Sequence, residues 1–192
     1  MKKLYNPFEI FSERQLLLFG LLFLVIGSFL GYLFNGRFDG VLDLHFVEFA
    51  DFYEVLLDNI INTLVLTIFL FLLGLFINPK TRIIDLLNNA LIARIPFYIL
   101  PFFNTNNYMN RITDEMMDLV ANNNLEAIAV TDTIFMAIFG ILALATMVWF
   151  AVLLWNGFKI ATNAKGIKAV ILFIAVVLLA EIASKYIITQ FN

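Results

Sequence analysis

The stretch that decides the fold is Ile83 to Phe103, IIDLLNNALIARIPFYILPFF. At a rise of about 1.5 Å per residue it is long enough to cross roughly 30 Å of hydrocarbon. It also carries Asp85, Asn88, Asn89 and Arg94, and it is interrupted by Pro96 and Pro101. Polar groups at membrane depth need partners inside the protein. The other apolar stretches are much cleaner. The pattern predicts a polar, kinked span against which the cleaner ones pack, its partners defining the interior.

Working outward, the remaining apolar runs give an all-α integral membrane protein, a bundle of five transmembrane helices. The spans read as 16–34, 60–77, 83–103, 128–154 and 169–188, forming a transmembrane domain over 16–192 behind an N-terminal segment, 1–15. Composition agrees, since only 14% of residues are charged where soluble domains carry about 25%. Lys2 and Lys3 precede an apolar run, as in a signal peptide. That run exceeds the roughly 7–15 residues of a signal core and no small-residue cleavage site follows it, so an uncleaved first span is expected. Phe8, Ile10 and Phe11 suit a short interfacial segment.

Asn78-Pro79 stops the second span, and the five-residue link NPKTR makes spans two and three a tight hairpin. Between Phe34 and Asp58, alternating apolar positions suggest a short extended piece, then helical spacing of Glu48, Asp51, Glu54 and Asp58. These acidic loops are expected to have modest structure and little tertiary core. A further helical turn is expected around Ile112 to Val120, with Thr113 able to cap it. Trp149 and Trp155 read as interfacial anchors near the end of the fourth span.

Basic residues sort to one side of the spans: Lys2, Lys3, Arg14, Lys80, Arg82, Lys159, Lys165 and Lys168. Only Arg37 and Arg111 fall on the other, with most of the acids, Glu126 among them. Such asymmetry places the N-terminus in the cytoplasm and the C-terminus outside.

Arg94 and Glu181 both fall near mid-depth of their spans, where an unpaired charge costs about 2.5–3.5 kcal/mol even on insertion scales. They are expected to meet inside the bundle, with Lys185 competing for Glu181 at i+4. The pair is read either as a clamp that sets packing or as a proton or substrate site. Pro96 and Pro101 free the carbonyls of Ile92 and Phe97. Asn59, Thr63 and Thr67, with Asn62 and Gly74, form a stripe that faces protein. Gly20, Gly27 and Gly31 share a face of the first span and allow close helix packing, within the chain or between two chains.

The chain has no cysteine and one histidine, His45, which with Glu48 and Asp51 reads as a solvated surface before a metal site. No nucleotide, hydrolase or metalloprotease motif occurs, so no catalytic residue, cofactor or metal is assigned. A net charge of −3 with no dense basic patch argues against nucleic acid as a partner. The expected partners are the lipid bilayer and a second copy of the chain or another membrane protein.

Three stretches carry a family likeness: Leu4-Tyr5-Asn6-Pro7-Phe8, the run from Asn78 through Leu91 to Pro96 and Pro101, and Trp149 to Ile171, WFAVLLWNGFKIATNAKGIKAVI. With the span count and orientation, the chain resembles the Yip family, membrane proteins named for binding Ypt/Rab GTPases. Only about fifteen residues precede the first span, in place of the long acidic arm of the trafficking members. The likeness therefore implies a compact bacterial-type member of the cytoplasmic membrane. It implies a non-enzymatic, membrane-organising or trafficking-type scaffold and carries over no catalytic residue. The alternative is a transporter or permease subunit using the interior around Arg94 and Glu181.

Overall fold

The structure, a computed structural model, describes residues 2–122 and 129–191. Ile128, expected to open the fourth span, Glu126 and Asn192 lie outside the described residues. A short helix α1 (Lys2–Tyr5) leads through a 3-10 turn at Pro7–Glu9 to α2 (Glu13–Leu33). Then follow α3 (Phe52–Ile77), α4 (Ile83–Ala93), α5 (Tyr108–Ala121), α6 (Val130–Thr162) and α7 (Gly166–Ile188). Among the described residues, five helical stretches are long and apolar enough to cross a membrane. The chain is an all-α, polytopic membrane protein.

Local chemistry sets the helix ends. Ser12 and Gln15 close a capping box at the start of α2: the Gln15 amide donates to Ser12 Oγ, and the Ser12 amide donates to Gln15 Oε1. Asp51 Oδ1 accepts from the Tyr53 amide at 2.8 Å and starts α3. The helix that carries the second span therefore begins eight residues before Ile60, and Glu54 and Asp58 lie on it as their helical spacing suggested.

The third span is the hub. Two thirds of its most apolar window is buried, against 22% for α6 and α7, and α4 packs on α2, α3 and α6. It is not a kinked α-helix. After Ala93 the chain tightens into a 3-10 stretch from Ile95, with Pro96 at its start and Pro101 inside. Phe97 N–H donates to Arg94 O, three residues back, at 3.1 Å. The change adds reach. Eleven α residues give about 16 Å and the nine from Ile95 to Phe103 about 18 Å, enough for the hydrocarbon. Asn104, Thr105 and Asn106 leave helical values and end it.

Gly20 and Gly27 let α2 lie against this hub within the chain. A Cβ on Gly20 would stand 2.6 Å from Leu91, and one on Gly27 2.3 Å from the Tyr98 ring. Gly31 faces Val55, Phe38 and the carbonyl of Gly36. The stripe of α3 is buried, and Thr63 and Thr67 donate back to Asn59 O and Thr63 O at 2.7 Å each.

Two expectations need correction. The helix of the fourth span does not turn at Asn156-Gly157, since α6 runs through them to Thr162, beyond the expected span end at Leu154. Trp155 therefore packs among rings, 5.1 Å from Phe173, while Trp149 Nε1 donates to Leu4 O at 2.7 Å. Both tryptophans hold protein segments. The loop between α2 and α3 is also not a loose acidic surface. Strands β1 (Gly36–Arg37) and β2 (His45–Phe46) pair antiparallel, and the chain between them turns into the bundle. Phe38 and Val41 are 1% exposed. Irregular backbone survives among membrane helices only where protein surrounds it.

Candidate functional site

The inserted loop is the place where the buried charges collect. Arg94 ends α4 and is fully buried. Its Nη1 donates to the carbonyl of Val41 at 2.8 Å and its Nη2 to Asn59 Oδ1 at 3.0 Å. Asn59 passes the chain on, donating from Nδ2 to Ser28 Oγ at 3.0 Å, and Ser28 donates to Leu24 O at 2.8 Å. The guanidinium also lies 5.9 Å from the centroid of the Phe38 ring, within the range of a cation–π contact.

Glu181 reaches the same loop from α7. Its Oε2 accepts from the Leu42 amide at 2.7 Å. Ser184 Oγ accepts from the Val41 amide at 3.2 Å. Gly40 lies so close that an added Cβ would stand 2.4 Å from Glu181 Oε1. Lys185 sits 3.6 Å from Glu181, as the i+4 spacing suggested, but its hydrogen bond goes to Asp43.

The expected contact between Arg94 and Glu181 is thus absent: each grips a different edge of the loop. The two edges nevertheless belong to one peptide unit, because the Val41 carbonyl and the Leu42 N–H share a peptide bond. Cation, peptide dipole and anion stand in line, each polarising the next. Val41 stands between the two helices, its carbonyl accepting from Arg94 and its amide donating to Ser184 on α7.

A second arginine braces the loop. Arg37 on β1 makes a two-pronged contact with Asp58 on α3, Nε to Oδ2 at 2.9 Å and Nη2 to Oδ1 at 3.0 Å. Asp58 is 3% exposed and Arg37 11%. Glu54 adds a contact to Arg37 at 3.1 Å on the exposed side. Asn62 Nδ2 donates to Phe38 O. Asparagines then tie this end of the bundle together. Asn35 donates to Asn107 at 2.8 Å, and Asn104 donates to Phe34 O at 2.8 Å. Asn104 Oδ1 also accepts from the Met109 amide at the start of α5.

His45 faces neither Glu48 nor Asp51, which caps α3. Its Nδ1 lies 3.1 Å from Asp39 Oδ1. Burial alone would raise the Asp39 pKa, but the His45 hydrogen bond and charge bring it below 3.8. The same hydrogen bond lifts His45 above 6.5 against its own burial.

The residue types at this site grip backbone. Comparison of the chain with protein-family models, with curated proteins and with solved structures returns no match. The functional reading rests on fold and geometry.

Proposed function

We propose that this polytopic membrane protein is a non-enzymatic scaffold, a compact bacterial-type relative of the Yip family. In this reading it lies in the cytoplasmic membrane with its N-terminus inside and its C-terminus outside. The observation that carries the reading is the state of Arg94. A transport site must meet water from at least one side, whereas this guanidinium is fully buried and holds a loop in place. The charges of the interior are committed to packing. The rival reading, transport, draws on two buried donors without a hydrogen-bond partner among the described residues, Arg94 Nε and Tyr98 Oη.

The chain has no cysteine, so single thiols report cleanly. Ser28→Cys and Ser184→Cys flank Arg94 and Glu181. With a membrane-impermeant maleimide, the scaffold reading expects neither to react from either face of a proteoliposome. Labelling of either, together with an ion or solute flux lost in Arg94→Leu, overturns it in favour of transport. Cross-linking in native-lipid discs is expected to join the chain to itself or to another membrane protein through α6 or α7. A strictly solitary chain counts against the scaffold. Orientation is read the same way: Lys80→Cys should react only from the cytoplasm and Glu48→Cys only from outside.

A further inference from the structure

The end of the bundle opposite the inserted loop holds a cavity lined by acceptor groups. Its volume is about 190 Å³, more than ten times the roughly 10–15 Å³ that one water needs. Glu13 at the start of α2, Asp85 in the first turn of α4 and Asn88 line it, together with Phe8, Phe11 and Leu16. Asn88 is 2% exposed; its Nδ2 donates to Glu13 O at 3.2 Å. Its Oδ1 has no partner among the described residues, although a buried acceptor of this kind is costly to leave unpaired. The two carboxylates share one cation, Arg82, which is 59% exposed. Two acids against one arginine leave a negative balance at the cavity mouth.

A second cavity, also about 190 Å³, adjoins the first, and Phe11 and Leu16 line both. Its walls are apolar, with Phe19, Phe23, Ile92 and Trp149 among them. An acceptor-rich chamber and a greasy one thus meet at Phe11 and Leu16. The shape fits an amphiphile whose head is a hydrogen-bond donor.

We infer that the paired cavities bind an aminophospholipid of the phosphatidylethanolamine class, its primary ammonium among Glu13, Asp85 and Asn88 and an acyl chain in the apolar chamber. A primary ammonium brings three N–H donors to three acceptors. The phosphate that follows it in such a headgroup meets the exposed Arg82. Phosphatidylcholine carries the same charge but no N–H donor, so it leaves Asn88 Oδ1 unpaired. An anionic headgroup such as phosphatidylglycerol can set its phosphate at Arg82 but brings no cation to the two carboxylates. The site is independent of whether the protein organises membranes or transports through its interior.

The test takes the whole chain in nanodiscs of phosphatidylethanolamine, phosphatidylcholine and phosphatidylglycerol in equal amounts with matched chains. Lipids retained on release are read by native mass spectrometry. Phosphatidylethanolamine should be retained over phosphatidylcholine, and the preference should fall by about three- to fivefold in Asp85→Asn and in Glu13→Gln, as for loss of a half-exposed charge contact. Ile95→Phe, which narrows the apolar chamber, should lower retention of every phosphatidylethanolamine. Melting curves confirm that each variant is folded, and the wild-type preference needs no variant at all. Equal retention of phosphatidylcholine, or a preference for phosphatidylglycerol, overturns the assignment. So do unchanged preferences in both carboxylate variants. Displacement of the lipid by equimolar soluble phosphoethanolamine would give the polar chamber to a free amine and overturn the lipid assignment.

Discussion

Arg37 and Arg94 brace the same loop and are neutralised in opposite ways. Arg37 meets a carboxylate face to face, with Asp58 taking two of its donors. Arg94 meets only neutral oxygens, Val41 O and Asn59 Oδ1, and its balancing carboxylate stands on the far side of a peptide bond. Direct contact gives a strong but local tie between one strand and one helix. The stacked arrangement joins three elements, and removing Glu181 leaves Arg94 facing a peptide with no carboxylate behind it, while Glu181 keeps Lys185 nearby. It is the costlier design to break, because a buried charge stripped of its partner cannot be rehydrated.

The largest effect is therefore expected at Arg94. Arg94→Leu leaves Val41 O and Asn59 Oδ1 without a donor and takes away the cation across the peptide from Glu181, which keeps Lys185 at 3.6 Å. Destabilisation of about 3–5 kcal/mol is expected, read by reversible unfolding in mixed micelles. A double-mutant cycle with Glu181→Gln sharpens the comparison. Charges linked through one peptide should couple by about 1–2 kcal/mol, whereas additivity within about 0.3–0.5 kcal/mol would break the linked picture. Asp58→Asn comes next, at about 2 kcal/mol, because Arg37 keeps its exposed contact with Glu54. Glu54→Gln itself should stay within about 0.5 kcal/mol. Gly40→Ala, whose new Cβ would stand 2.4 Å from Glu181 Oε1, should cost about 1–2 kcal/mol by crowding. It should weaken the Arg94 side of the loop and leave a cycle between Arg37 and Asp58 unchanged. An equal loss at both arginines would mean that the loop moves as one rigid body.

Five spans and the polar hub were legible because hydropathy and helix length are properties of contiguous residues. Arg94 and Glu181 could be singled out for the same reason: a charge inside an apolar run is conspicuous in one dimension. Their partners were not legible. Val41 and Leu42 offer backbone, which every residue has, and Asp39 and Asp43 around them make the segment look solvated. The missed signal lay in the spans. Asn59, Asn62, Arg94, Glu181 and Ser184 are polar groups within apolar runs, and all but Asn59 take a partner from the loop's backbone. A re-entrant segment was the available source of backbone donors and acceptors. The type of the third span was hidden too, since Pro96 and Pro101 signal a broken α-helix without specifying the 3-10 geometry that replaces it. The overrun of α6 past Trp155 followed from Asn156-Gly157, which reads as a turn but serves as a packing site. A Cβ on Gly157 would stand 2.1 Å from Asn89 Oδ1.

The smallest effect belongs not to the two arginines but to the His45–Asp39 pair of the same loop. His45 has its pKa raised above 6.5 by Asp39. Its contribution is fully present below about pH 6.5, the unfolded value, and is lost as pH rises through the higher folded value. Asp39 is lowered below 3.8 by His45 after burial is overcome, so its contribution is present above that value and lost as pH falls through the folded one. The pair thus supports the loop between about pH 4 and 6.5 and weakens on both sides. With His45 47% and Asp39 28% exposed, the effect should stay under about 1 kcal/mol. His45→Gln should flatten the alkaline limb of melting temperature against pH, with Asp43 and Arg37, the other charges acting on His45, left in place. An alkaline limb that persists in His45→Gln would assign it to another group and leave the loop held by its arginines alone.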